Sequence, residues 1–167
     1  DGGEPATIAR LPKNNGNTIP KTLIIWKIND FKGYPPEKRC RLVSQKFQDN
    51  QNTGHLKYIV SGKTNGWPVL CASKQNYNYI VDCPGPNVLM TLLQGDDSQD
   101  MIRKLEGLST GHSNAPLKHF SDRALVSNGN LQAINVNKWI DNSAQTDIEK
   151  VNQCMWRCEQ LFFLFGL

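Results

Sequence analysis

Cysteines are the residues of this sequence whose type and spacing most readily support chemistry. A thiol can form a disulfide, ligate a metal or remain an inert buried side chain. An odd number forbids complete internal pairing, so one partner is missing, free or on another chain. The sequence contains five: Cys40, Cys71, Cys83, Cys154 and Cys158.

Cys71 and Cys83 enclose a polar loop that starts at the predicted end of a strand. A disulfide between them would stabilise the fold by about 3 kcal/mol, because it restricts the loop in the unfolded chain. Two buried thiols are the alternative. Metal ligation is poorly supported, since neither residue belongs to a close Cys-x-x-Cys pair. We therefore predict a disulfide between Cys71 and Cys83.

Cys154 and Cys158 are spaced one helical turn apart. This spacing suits two ligands of one metal, or two bonds to neighbouring elements, but not a bond between the two, because parallel Cβ vectors fit disulfide geometry poorly. The interpretation that we favour places Cys158 in the core, with Cys154 either bonded to Cys40 or unpaired. The disulfide candidates are therefore Cys40, Cys71, Cys83 and Cys154.

Outside the cysteines, no stretch of sequence assembles a recognisable catalytic or cofactor site. There is no Gly-x-Ser-x-Gly elbow and no phosphate-binding glycine-rich loop. We interpret Asp96, Asp97 and Asp100 as caps that complement a helix dipole. We predict no catalytic residue, no cofactor and no metal. A hydrolase assembled from distant residues is the enzymatic alternative, and its histidine would be one of three in predicted loops: His55, His112 and His119.

The composition is that of a globular chain with a mild positive charge. Of the 167 residues, 38% are hydrophobic and 20% charged, and the net charge is +4. The cations are spread over several segments without interleaved aromatic residues, so we expect no nucleic-acid partner. No run approaches the roughly 20 apolar residues that cross a bilayer. The start of the chain lacks the features of a signal peptide, so in an exported protein the targeting segment has been removed.

The elements that must position these residues begin with a hairpin and a helix. Residues 6–11 and 22–28 are rich in β-branched and aromatic residues and flank a cluster of turn formers. A helix is predicted from Pro36, which suits the first helical position. Within this helix an apolar stripe covers a sheet, since three residues share one face at helical spacing: Cys40, Val43 and Phe47.

A second hairpin is predicted around Asn65 and Gly66, because this dipeptide readily takes the positive φ that a tight turn needs. Its strands are residues 56–61 and 67–72, and residues 88–93 form one more buried strand. A second helix follows the cap at Ser98, with an apolar face of three residues: Met101, Leu105 and Leu108. Residues 109–145 are predicted to be extended chain, with a short strand at 132–136.

The C-terminal segment is predicted to be a helix over residues 146–167, since Thr146 and Glu149 form a capping box. Its last seven residues are uncharged, which is consistent with burial, docking in a partner or shallow insertion at a bilayer surface. The densest basic patch lies on the first helix, where a solvated face or a site for anionic lipid or an acidic partner is possible. The partner-binding candidates are Leu161, Phe162, Phe163, Phe165, Lys38, Arg39 and Arg41.

Several short pieces of this sequence occur together in a known family. They are Pro5-Ala6-Thr7-Ile8-Ala9, Leu23 to Trp26, Arg39-Cys40 with Val43-Ser44 and Phe47, Gly54 to Ile59, Gly62 with Asn65-Gly66, Pro68 to Cys71, Cys83, and Leu89 to Leu92. Over roughly residues 4–108 the chain thus resembles the circadian oscillating protein family of cyanobacteria. The resemblance implies an exported protein of the cell envelope or membrane periphery, without a defined activity. It also implies a further cysteine before the first piece, which this sequence lacks and which would be the natural partner of Cys40.

Together these observations predict an α+β fold: an antiparallel sheet of about five strands with two covering helices, plus a C-terminal helix. The predicted units are a core domain (1–108), a wrapping segment (109–145) and the C-terminal helix (146–167). We expect a noncatalytic module in the periplasm, thylakoid lumen or cell surface, peripheral to the membrane. It would dock on a membrane protein complex or envelope assembly through the C-terminal helix, with possible contact to an anionic membrane surface. The alternative is a periplasmic small-molecule or metal-binding protein that uses the loop between Cys71 and Cys83.

Overall fold

The computed structural model describes residues 4–12, 15–26, 33–76, 79–109, 124–128, 131–142 and 162–163. Within these ranges the chain forms eight strands and three α-helices. The strands are β1 (Ala6–Pro12), β2 (Thr18–Ile25), β3 (Tyr58–Thr64), β4 (Trp67–Ser73), β5 (Val88–Thr91), β6 (Leu125–Asn128), β7 (Leu131–Asn135) and β8 (Phe162–Phe163). The helices are α1 (Pro36–Asn52), α2 (Ser98–Ser109) and α3 (Val136–Asn142), and a 3₁₀ turn occupies Gly85–Asn87.

The hairpin of β3 and β4 sets the register of the central sheet. The two strands pair antiparallel along their whole length, and Asn65 (φ 48°) and Gly66 (φ 78°) form the turn between them. Positive φ at both turn residues matches the twist of the flanking strands. The five strands are all antiparallel to their neighbours and lie in the order β5-β4-β3-β7-β6. The predicted fold class, with its five-stranded antiparallel sheet, is confirmed.

Both faces of the central sheet are buried. Because successive residues of a strand point to opposite faces, each strand supplies two sets of apolar side chains. The face toward the helices carries Ile59, Leu70, Ala72, Leu89 and Ile134. The opposite face carries Val60, Val69, Cys71, Val88 and Ala133. A sheet of this kind needs a cover on each side.

The helices cover the first face. Cys40, Val43 and Phe47 of α1 are all buried, as their helical spacing predicts. In α2 Ile102 and Leu105 are buried, and Met101 packs against the same core at partial exposure, whereas the side chain of Leu108 lies outside the described part of the chain. The apolar stripes of α1 and α2 thus join the sheet in one hydrophobic core.

Helix α3 was not anticipated from the sequence, which predicts extended chain over residues 109–145. The described part of that segment contains β6, β7 and α3. Trp139 is fully buried, and its ring lies 6.3 Å from that of Phe47, so α3 packs against α1 through an aromatic pair. A helix of seven residues is too short to produce a clear period in the sequence, and packing of Trp139 stabilises it instead.

The second face of the sheet is covered by the segment between β4 and β5. This segment crosses to the edge of β3 that β7 leaves open, since β7 pairs only with Tyr58 and Ile59. There the N–H of Ile80 donates to the Ser61 carbonyl (3.0 Å), and the N–H of Lys63 donates to the Ile80 carbonyl (2.9 Å). The segment therefore continues the sheet where β7 ends.

Gln99 of α2 occupies the place where β3 and β7 separate. Its side-chain amide donates to the Ser61 hydroxyl (2.8 Å) and to the Gln132 carbonyl (3.1 Å). Its amide oxygen accepts from the Gln132 N–H (2.8 Å). The side chain thus satisfies backbone groups of β7 that have no β3 partner at this level.

The hairpin of β1 and β2 is attached to α1 by a buried polar network. The indole N–H of Trp26 donates to the Thr7 hydroxyl (3.0 Å), which in turn lies 3.0 Å from the Ser44 hydroxyl of α1. All three residues are buried. Because each group has its partner, the network fixes the hairpin on α1 without leaving an unsatisfied polar atom at these positions.

The predicted C-terminal helix is wrong at the two tail residues that are described. Phe162 and Phe163 form β8, which pairs in parallel with Ala9 and Arg10 of β1 to give the sheet order β2-β1-β8. The rest of residues 146–167 lies outside the described residues. Aromatic residues favour strands, so the available edge of β1 overrides the predicted helix at these two residues.

The close approach of the covering segment to β3 predicts the effect of one small substitution. A Cβ at Gly62 would lie 2.6 Å from the Ile80 carbonyl oxygen, which is already held by Lys63. We expect Gly62→Ala to lower the free energy of unfolding by about 2 kcal/mol in urea titrations, because the segment must move off the strand.

Gly85→Ala is the matched control, because a Cβ at Gly85 meets no atom within 4 Å. The control is expected to stay within about 0.5 kcal/mol of wild type. Equal unfolding midpoints for the two variants would contradict the close packing of Ile80 on β3.

Candidate functional site

The disulfide between Cys71 and Cys83 is present, as the sequence predicts. The two Cα atoms lie 6.2 Å apart, and both side chains are buried in the core of the second sheet face. The Cys83 N–H also donates to the Lys63 carbonyl (2.8 Å). The covering segment, defined here as the described residues 74–76 and 79–87, is therefore held by a covalent bond and by hydrogen bonds to β3.

An open cleft of about 560 Å³ lies between the covering segment, the end of β4 and the loop after α1. Its floor is formed by Ala72 and Ser73. Both apolar and polar side chains line its walls, and Val81, at 72% exposure, is the most exposed large apolar residue of the described chain. Its walls include His55, Lys74, Tyr79, Val81, Asp82 and Asn87.

The polar groups of the cleft can recognise a ligand but do not form a nucleophile–base pair. The Ser73 hydroxyl donates to the Gln75 carbonyl (2.6 Å) and accepts from the Gln75 N–H (3.1 Å), so the turn occupies it. Nδ1 of His55 lies 3.1 Å from the Thr53 hydroxyl. Burial raises the pKa of the Tyr79 phenol, so its hydroxyl remains a donor at neutral pH. His112 and His119 lie outside the described residues.

Of the three acidic residues predicted to cap α2, Asp97 accepts from a backbone N–H of the helix, whereas Asp96 closes the preceding turn and Asp100 forms an ion pair. The Asp97 carboxylate accepts from the Gln99 N–H (2.8 Å), and Asp96 accepts from the backbone N–H three residues earlier (2.9 Å). Asp100 pairs with Lys104 at 2.6 Å, and this hydrogen bond lowers the pKa of Asp100. Across the described ranges, no group of three or more His, Cys, Asp or Glu side chains is placed to hold a metal ion.

The first two turns of α1 present a mixed basic and apolar surface to solvent. Lys38, Arg41 and Leu42 are exposed there, together with Tyr34 just before the helix. The Lys38 ammonium lies 4.3 Å from the centre of the Tyr34 ring and donates to the backbone before the helix. We call these four residues the basic face of α1.

Arg39 does not belong to this basic face. Its guanidinium carbon lies 5.4 Å from the centre of the buried Trp26 ring, and its side chain is half-buried. Successive helical residues are rotated by about 100°, so Arg39 points away from Lys38. Tyr34 and Leu42 were not among the predicted binding candidates. Each is four residues from Lys38 in the sequence, and this spacing indicates that all three lie on one face.

The tail residues proposed as contacts are only partly described. Phe162 and Phe163 form β8, whereas Leu161 and Phe165 lie outside the described residues. Among the described residues, no helix has the length and apolar character that crossing a membrane requires.

Cys40 is also disulfide-bonded, and its mate lies outside the described residues. The pairing with Cys154 stays a prediction, since Cys154 and Cys158 are the two cysteines that remain. A nonreduced digest analysed by mass spectrometry identifies the mate directly.

Removal of the Cys71–Cys83 bond is expected to destabilise the fold. For the double variant Cys71→Ala/Cys83→Ala, we expect the free energy of unfolding to fall by about 2–4 kcal/mol, because the unfolded loop gains conformational entropy. Urea unfolding without reductant measures the change. Reductant added to the double variant then reports the separate effect of the Cys40 bond. An unchanged midpoint in the double variant would show that the covering segment does not depend on its disulfide.

Comparison with known proteins identifies a family. The profile of the family described as Circadian oscillating protein COP23 matches residues 1–141. No curated protein and no solved structure matches the chain. The family match confirms the resemblance seen in the sequence and extends it through β6 and β7 into α3. Since the match spans more than half of its residues, the chain belongs to the circadian oscillating protein family.

Proposed function

We propose that this member of the circadian oscillating protein family is a noncatalytic extracytoplasmic module that docks on a membrane protein complex or cell-envelope assembly. The observation that carries the proposal is the basic face of α1. A rigid helix there presents Tyr34, Lys38, Arg41 and Leu42 to solvent. Surfaces that combine an aromatic residue, an arginine and an exposed aliphatic residue are typical of protein interfaces.

The charge of this surface indicates the kind of partner. Lys38 and Arg41 add two positive charges to the exposed side of the first two helical turns. The contact of Lys38 with the Tyr34 ring restricts both side chains before binding, which reduces the entropy that association costs. An acidic protein surface, or an anionic membrane surface beside the complex, complements this arrangement and raises the rate of association.

The disulfides support an oxidising compartment. Cys71 and Cys83 are bonded to each other, and Cys40 is bonded as well. Disulfides persist in extracytoplasmic compartments and are rare in reducing cytoplasm. This agrees with the expectation from the family resemblance that the protein works in the periplasm, the thylakoid lumen or at the cell surface.

The composition of the tail supports a second contact. Residues 161–167 carry no charge and are almost entirely apolar. An apolar segment of this length gains free energy when a partner or a lipid surface removes it from water. The basic face of α1 and the tail together give the module one electrostatic and one hydrophobic contact.

Charge reversal on α1 tests the proposal. For the full-length variant Lys38→Glu/Arg41→Glu, we expect at least a tenfold loss of the protein that copurifies with native membranes, because like charges then oppose the partner. Lys57→Glu/Lys63→Glu is the matched control, since it changes the net charge equally at exposed lysines of the sheet region and should retain binding. Quantitative immunoblotting of washed membranes measures both.

Deletion of residues 146–167 tests the contribution of the tail. If that variant copurifies with the same membranes and partners as wild type, the tail is not a contact. If the control with reversed lysines loses binding as fully as the α1 variant, the attraction is a general effect of net charge. Either result contradicts the corresponding part of the proposal.

A small-molecule binder is the second candidate, and the cleft beside the covering segment favours it. A volume of about 560 Å³ lies within the range of ligand sites, and the Cys71–Cys83 bond anchors one wall. Lys74, His55 and the Tyr79 hydroxyl supply donors, and Val81 supplies an apolar contact. This combination suits a small organic anion with an apolar body.

Native mass spectrometry of the protein purified from its source tests this second function. We expect a bound organic species that is lost in Tyr79→Ala/Lys74→Ala and retained in Tyr34→Ala, which removes an exposed tyrosine elsewhere. Elemental analysis of the same sample reports any metal. A wild-type mass equal to that of the bare chain, without stoichiometric metal, removes the candidate.

A further inference from the structure

The edge of β1 that faces away from β2 is only partly used. β2 pairs with β1 along all seven residues of the strand. On the opposite edge, β8 pairs only with Ala9 and Arg10. Among the described residues, the remainder of this outer edge has no strand partner.

We propose that the outer edge of β1 accepts an extended apolar segment of a partner protein, and that Phe162–Phe163 of the chain is a placeholder in this site. The inference deepens the proposed function and rests on it, since it names the recognition mode of a docking partner. Addition of a strand to an exposed sheet edge is a common way to bind an extended peptide.

The strength of the β8 pairing is consistent with displacement. Two residues contribute few ladder bonds, and parallel pairing is slightly weaker per residue than antiparallel pairing. The segment is kept in place by its covalent connection to the rest of the chain, which raises its effective concentration to the millimolar range. A partner segment that pairs with the whole of β1 forms more backbone bonds and replaces it.

The chemistry of the placeholder indicates the chemistry of the partner. The pairing segment belongs to the uncharged run Leu-Phe-Phe-Leu-Phe-Gly-Leu. Ala9, one of the two β1 residues in the pairing, is fully buried in the main hydrophobic core, so the pairing segment lies beside this core. An extended, uncharged segment of aromatic and aliphatic residues fits these conditions, whereas a charged segment would be desolvated at a cost.

Displacement also connects the site to the tail. When a partner strand pairs with β1, Phe162–Phe163 leave the sheet, and this apolar pair becomes available for a second contact. The edge of an open sheet is otherwise a site of uncontrolled association, and the placeholder protects it until the partner arrives.

A labelled peptide of residues 159–167 with added C-terminal lysines is the probe. Its binding is measured by fluorescence anisotropy to the full-length wild type and to full-length Phe162→Pro/Phe163→Pro, whose own tail cannot donate ladder bonds. We expect the variant to bind at least tenfold more tightly than wild type, because its β1 edge is free. Phe162→Gly/Phe163→Gly is a second variant, and thermal melts verify that both are folded.

The matched control is the same peptide with N-methyl groups on the two backbone nitrogens that correspond to Phe162 and Phe163. It keeps every side chain and loses two donors, so strand addition predicts at least a tenfold weaker complex. Equal binding of the two peptides would show a general apolar contact and overturn the inference. Equal affinity of wild type and both variants would overturn it as well.

These results are separate from the test of the proposed function. If the peptide does not bind but the basic face of α1 is still needed for membrane copurification, only the strand site is wrong. If the peptide binds but every α1 and tail variant still copurifies with membranes, the docking function is wrong and the strand site is retained.

Discussion

The backbone pairing of the covering segment with β3 is the interaction on which the rest of the central sheet depends. β3 has two edges, and β7 uses only the first part of one of them. Ile80 supplies a donor and an acceptor at the level where β7 ends, and the N–H of Cys83 continues the pairing at Lys63. Buried peptide groups must find partners, so the segment is a structural part of the sheet although it is outside every named strand.

Because the covering segment pairs with β3, the disulfide joins two parts of the central sheet and does more than close a surface loop. Cys71 lies within β4, and Cys83 lies at the end of the segment that has crossed β3. Their bond therefore holds the covering segment against the second face of the sheet, where Val60, Val69 and Val88 are shielded from water. The covering segment forms one wall of the cleft, and this wall is fixed at both ends because the segment starts at β4 and is bonded to β4 again at Cys83.

Much of the core could be predicted from the sequence because local signals and packing agree there. The stripe of Cys40, Val43 and Phe47 and the turn at Asn65 and Gly66 are short-range patterns with one physical solution. The same holds for the disulfide between Cys71 and Cys83, where spacing and the character of the loop coincide.

The remaining elements could not be predicted because tertiary contacts decide them. α3 is short and forms around Trp139, whose partner Phe47 is distant in sequence. Phe162 and Phe163 form a strand because β1 offers an edge, which no local period reveals. On α1, the inward position of Arg39 depends on Trp26 from another element, so a basic cluster in sequence becomes a smaller basic face in space.

Gln99 fixes the position of α2 on the sheet. Its amide is the side-chain equivalent of a peptide group, and it engages Ser61 on one strand and both backbone groups of Gln132 on another. A displacement of α2 by one helical turn, about 5.4 Å, would break all three bonds together and leave buried polar groups behind. Asparagine is one methylene shorter and cannot span the same gap. The length of one half-exposed side chain at the start of α2 thus sets the distance between β3 and β7 where these strands diverge.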